Sequence, residues 1–164
     1  MKFYVKSFPQ QELIKDIPSG TLSLAFLDPY GLHLDFETLR VLSLNRMDLI
    51  IFFPDKLDIL RNWAEYYLRN PDSNLDRYLG KGPDWRSVLL NSPSERYAER
   101  VLELYIDQIR SIGYMYFEQR RISMTKGQPL YQLIFCSKHS KGVDLWRKVS
   151  RILPNGQREL PFIE

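Results

Sequence analysis

The feature that most constrains this chain is the stretch TLSLAFLDPYG at residues 21–31, where an apolar run ends in a carboxylate, a proline, an aromatic ring and a glycine. Residues 22–27, LSLAFL, are too few for a stable helix and too apolar for an exposed strand. They predict a central strand of a sheet covered on both faces. Asp28 then falls at the carboxyl end of that strand. Ligands of open α/β sheets bind beyond the carboxyl ends of strands, so Asp28, the rigid Pro29 and the flat Tyr30 are candidate site residues. Gly31 lets the chain turn away.

The remainder alternates strand and helix signals. Phe3, Tyr4 and Val5 suggest a short strand, and residues 10–16 a brief helix stopped by Pro18 and Gly20. Asp35 is placed to cap a helix that carries Phe36, Leu39, Leu42 and Ser43 on one side and ends near Asn45. Residues 47–53, MDLIIFF, make a second apolar strand closed by Pro54, which cannot donate to a ladder. Two covered strands joined by a helix predict a right-handed parallel unit. In residues 55–69, Leu57, Leu60, Ala64, Tyr67 and Leu68 recur at helical spacing. Residues 73–93, with LDRYLGKGPDW inside, are expected to be loop. A long helix follows from Ser94 as N-cap to Gly113 as C-cap, with Tyr97, Val101, Leu104, Tyr105 and Ile109 on its inner stripe. Residues 114–123 and 130–136 form an antiparallel hairpin around the turn at 125–129, and a last helix over 143–152 turns Val143, Trp146 and Val149 inward.

With 164 residues and 44% hydrophobic composition the chain can bury one core, so residues 1–164 are taken as a single domain. The 23 Lys and Arg against 20 Asp and Glu describe a mixed surface, which only weakly supports a nucleic-acid partner. The lone Cys136 excludes an internal disulfide and a four-cysteine metal site, consistent with a reducing cytoplasm, and no metal site is expected. No apolar run reaches the roughly 20 residues of a membrane helix, and no signal peptide core is present at the N-terminus.

LAFLDPYGL, the helix DFETLRVLS, MDLIIFFP, and the closing YQLIFCSKH with GVDLW resemble, in order, the three-Cys-motif partner (TcmP) family over most of residues 20–150. More broadly they resemble the second half of a class I, S-adenosylmethionine-dependent methyltransferase. LAFLDPYG takes the place of the fourth strand, RMDLIIFFP of the fifth, and MYFEQRRI with YQLIFCSKH of the sixth and seventh. The resemblance implies an α/β fold with a partial Rossmann-like sheet, mostly parallel but with a C-terminal antiparallel hairpin, and helices on both faces. It implies catalytic roles for Asp28, Pro29 and Tyr30, with Asp28 also near the cofactor and Tyr30 and Gly31 toward an amine, such as that of a nucleobase. Amino-methyltransferases of the superfamily carry D-P-P-Y or N-P-P-Y, whereas Asp28-Pro29-Tyr30-Gly31 has one proline. The superfamily's glycine-rich first-strand turn has no counterpart: the first glycine is Gly20, and Gly80-Lys81-Gly82 follows an irregular segment. S-adenosylmethionine is therefore expected only if a missing N-terminal half is supplied. Without those strands LSLAFL would show an apolar edge to water, which implies another chain: a second copy, the N-terminal half, or a three-cysteine, radical-SAM-like partner.

Two classes of function follow: a methyltransferase subunit or fragment, and an interaction module of the same ancestry without chemistry. Asp28 has two open roles, ligand contact or capping of the next turn, and Tyr30 is either a stacking platform or a packing ring. Tyr78 and Trp85 either touch a substrate or are buried under the loop. His33 and His139 are read as surface or cap residues, and Cys136 as a buried thiol. Arg120, Arg121, Lys138, Lys141, Arg147 and Lys148 either line a phosphate path or are solvated.

Overall fold

The structure is a computed structural model that describes residues 17–18, 20–28, 32–54, 67–82, 84–123 and 129–150. In chain order the elements are β1 (Ser23–Leu27), α1 (Phe36–Leu42), β2 (Met47–Pro54), α2 (Asn74–Leu79), α3 (Trp85–Leu90), a 3-10 turn (Ser94–Arg96), α4 (Tyr97–Ser111), β3 (Tyr116–Ser123), β4 (Pro129–Ser137) and α5 (Ser140–Val149). The expected strand at residues 3–5, the helix at 10–16, most of the helix at 55–69 and the tail after 150 lie outside the described residues.

The strands form one sheet in the order β1-β2-β4-β3. Among the described residues only β1 and β2 run parallel, from Ser23 opposite Met47 to Leu27 opposite Ile51. β4 enters antiparallel to β2, with Leu49 opposite Cys136, and β3 is antiparallel to β4. This corrects the expectation of a mostly parallel, Rossmann-like sheet: the mixed α/β sheet has one parallel and two antiparallel pairings. The reason is the closing hairpin. It does not stay at the margin, because β4, the more apolar of its strands, inserts beside β2 and supplies that strand's second ladder.

The strand expected at the centre of the sheet is also corrected. Among the described residues β1 occupies an edge, and Leu22, Leu24 and Phe26 are 76%, 58% and 61% exposed. Its alternation shows why an apolar run need not be covered on both faces. Leu27 and Ala25 face the main core, and the even-numbered side chains face the other way. Phe26 meets Phe52 edge-on at 4.9 Å between ring centroids, and Phe52 lies 4.6 Å from Tyr131, so an aromatic row crosses β1, β2 and β4 on that second face.

The main core lies on the opposite side of the sheet. Leu49, Ile51 and Phe53 of β2 and Ile134 and Cys136 of β4 pack there with α1, α2, α3 and α4. α4 buries Val101, Tyr105 and Ile109 at intervals of four, and its outward side carries Arg100–Glu103 and Asp107–Arg110 ion pairs one turn apart. α5 covers only part of the second face, where Val143 joins Ile50 and Phe135, and Trp146 stacks on Phe135 at 5.0 Å. Val149, expected to point inward, is 51% exposed, near the end of an α5 that packs on β4 and β3. Gly142 permits the close approach of α5: a Cβ there would lie 2.3 Å from the Ser137 hydroxyl and 2.9 Å from the Asp48 carboxylate.

Candidate functional site

Asp28 follows the last residue of β1 and is exposed at the carboxyl end of the parallel pair. Pro29, Tyr30 and Gly31 lie outside the described residues. The return of the chain toward α1 is anchored by Leu32, Leu34 and Phe36, all buried in the main core, with exposed His33 between them. Asp35 starts α1 but makes no side-chain cap; its carboxylate stands 4.0 Å from the Arg77 guanidinium instead. Phe36 lies flush against Gly80, whose φ of +73° is left-handed and whose missing Cβ would fall 2.7 Å from the Phe36 ring.

Behind this return lies an arrangement that sequence reasoning missed. Residues 73–93 are not an open loop but contain α2 and α3, joined by a carboxylate hub. Asp76 accepts from the Ser73 amide at 2.8 Å and its hydroxyl at 2.7 Å, closing a capping box on α2. It also accepts from Trp85 Nε1 at 2.8 Å and from both Arg86 terminal nitrogens at 2.7 and 2.8 Å. Arg86 donates further to the Tyr67 and Asn70 carbonyls and stacks over the Trp85 ring. Burial alone would raise the Asp76 carboxyl, but donation from Arg86, Ser73 and Trp85 overrides it and holds the group at about 2. The signal was present as Ser73-x-x-Asp76, with Asp84 as the N-cap of α3.

The two aromatic residues of this region are buried, not presented to a ligand. Tyr78 stacks on Tyr105 at 4.3 Å; the two hydroxyls lie near one another without a well-aligned hydrogen bond, and burial pushes both phenols up. Cys136 is fully buried, and burial together with the Asp48 carboxylate pushes its thiol up, away from nucleophilic character. His139 caps α5 by accepting the Lys141 amide on Nδ1.

The basic residues of the hairpin and α5 do not form one open row. Arg147 pairs with Glu118 at 2.7 Å, Arg120 donates to the Ser150 carbonyl at 2.6 Å, and Lys138 donates to the Ser43 carbonyl beside the Tyr114 ring. Arg121, Lys141 and Lys148 are exposed. Among the described residues no three His, Cys, Asp or Glu side chains gather as metal ligands, and no helix is long and apolar enough to cross a membrane.

The described residues do not by themselves fit S-adenosylmethionine. Gly80-Lys81-Gly82 follows α2 and not a strand; Gly80 packs on Phe36, and a Cβ at Gly82 would collide with the Gln108 side chain. Asp28 is an exposed acceptor at a strand end, able to take hydrogen bonds from an N–H group. Comparison of the chain with protein-family models, with curated proteins and with solved structures finds no match.

Proposed function

We propose that this chain is a TcmP-like, methyltransferase-type subunit directed at an amine, whose S-adenosylmethionine is held by residues other than those described above. One observation carries the reading: Asp28 is an exposed carboxylate at the carboxyl end of β1, beside a parallel neighbour, where ligands of α/β sheets are bound. The LAFLDPYGL, MDLIIFFP and YQLIFCSKH matches support the same reading. In it Asp28 accepts hydrogen bonds from the amine, and Tyr30 and Gly31 complete the substrate side. The protein acts in the cytoplasm, where a three-cysteine, radical-SAM-like protein is its partner by resemblance. Isothermal titration tests this. S-adenosylmethionine should release no binding heat with this chain alone and should bind once a polypeptide carrying a glycine-rich strand turn is added. Tight binding by this chain alone would refute the division of labour.

A second reading is an interaction module without chemistry, favoured by the open apolar face of β1. Transfer of labelled methyl from S-adenosylmethionine to an amine in the completed assembly, abolished by Asp28→Asn, would reject it.

A further inference from the structure

The two edges of the sheet differ in chemistry. β3, YFEQRRIS, carries Glu118, Arg120 and Arg121 and breaks register between Ile122 and Ser123, features that discourage another strand from pairing. β1 and the two residues before it, TLSLAFL, hold no charge and no proline. The Ser23 N–H donates to the Arg46 carbonyl at 2.9 Å, so Ser23, Ala25 and Leu27 direct their backbone groups to β2. Leu22, Leu24 and Phe26 therefore turn theirs to the edge that is unpaired among the described residues. These same residues hold the exposed apolar side chains.

We propose that the occupant of this edge is the β1 edge of a second copy, paired antiparallel about a two-fold axis at Ala25. Two observations select that register. Outward backbone groups belong to even-numbered residues, so hydrogen-bonded pairs form only where even meets even: Leu24 opposite Phe26, and Leu22 opposite Asp28. Charge then complements charge. The β1–β2 register begins with Ser23 opposite Met47, and the Ser23 N–H reaches the Arg46 carbonyl; strand alternation extended by one residue beyond each end of β1 would set Arg46 beside Leu22, on the sheet face that Asp28 would share. Across the dimer, Asp28 of one copy and Arg46 of the other flank Leu22 with about 10 Å, two strand spacings, between their backbones, within the joint reach of the side chains. Asp28 and Arg46 are both exposed, and neither has a side-chain partner among the described residues.

The result is a sheet continuous across the two copies, with eight strands among the described residues, in which Leu24 and Phe26 of the two copies abut, bounded by two symmetric ion pairs. This inference does not depend on the methyltransferase reading. A carboxylate with two oxygens accepts from Arg46 and still has an acceptor for an amine.

Sedimentation equilibrium of the full chain from about 1 to about 100 μM tests it, in the concentration range of ordinary protein interfaces. The expected mass approaches about 39 kDa, twice the 19.5 kDa chain. Asp28→Arg and Arg46→Asp should each weaken the dimer by about tenfold or more, and the two together should restore it. Ala25→Cys should form a disulfide across the two-fold axis under mild oxidation, with Cys136 buried and silent. That cross-link reads the same interface if a charge variant fails to fold. A monomer throughout the range, including one that associates only with another polypeptide, would overturn the proposal. So would a dimer that the charge swap does not recover and that the Ala25→Cys substitution does not cross-link.

Discussion

Replacing Asp76 by Asn keeps the size of the side chain and removes the charge on which five donors converge. The magnitude follows from the carboxyl itself. Its ordinary value of 3.8 falls to about 2 in the folded chain, because Arg86, Ser73 and Trp85 outweigh the effect of burial. That difference corresponds to about 2.5 kcal/mol of stability. The side chain is 21% exposed and Arg86 28%, so solvent screening reduces the figure only modestly. The sign is that of a depressed carboxylate: the contribution is complete above about pH 4 and is lost as pH falls through about 2. Asp76→Asn also turns an amide donor toward Arg86 or Ser73, leaving the guanidinium partly buried without its counter-charge. Urea unfolding followed by tryptophan fluorescence, to which Trp63, Trp85 and Trp146 all contribute, and by far-UV dichroism should show the variant about 2 to 3 kcal/mol less stable at pH 7, a midpoint shift of about 1 to 2 M. The gap should narrow steadily between pH 4 and pH 2. A loss below about 0.5 kcal/mol at neutral pH, or a gap indifferent to acid, would refute the view that this carboxylate locks α2 to α3.

Other expectations are simpler to check. Gly80→Ala should lower stability by about 1 to 3 kcal/mol, since it combines a left-handed backbone with a methyl group set into the Phe36 ring; an unchanged melting temperature would contradict this. Cys136 should resist a disulfide reagent at pH 8 in the folded chain and react promptly in urea, because burial raises its thiol. A double-mutant cycle on Glu118 and Arg147 should give a coupling of about 0.5 kcal/mol or less, as expected of an exposed pair.

The parts of the fold visible from sequence are those set by dense local pattern. MDLIIFF could only be an interior strand, and it has a neighbour on each side; the alternation after Gly113 located the hairpin. What local pattern could not supply was strand order. Whether LSLAFL lies inside or at the edge depends on which chain stands next to it, and its odd-numbered residues suffice for the core. α2 and α3 were hidden for a different reason. Each is six residues long, too short for periodicity to register, and both are held by the Asp76 hub more than by propensity. Asp28 was legible as a strand-end acid because apolar runs that stop at a carboxylate are conspicuous. Arg46, its candidate counterpart, was not, since only the β1–β2 register brings it alongside.

The insertion of β4 beside β2 also sets the order in which the protein can be made. The sulfur of Cys136 reaches back to the Leu49 carbonyl, 87 residues earlier, and the Tyr114 hydroxyl donates to Met47 across 67. At about 5 to 20 residues per second a ribosome takes on the order of 4 to 17 s to deliver the strand that completes the ladder. For that interval a nascent chain carries LIIFF without its β4 ladder, and completion of this part of the sheet waits until residues 129–137 have been made.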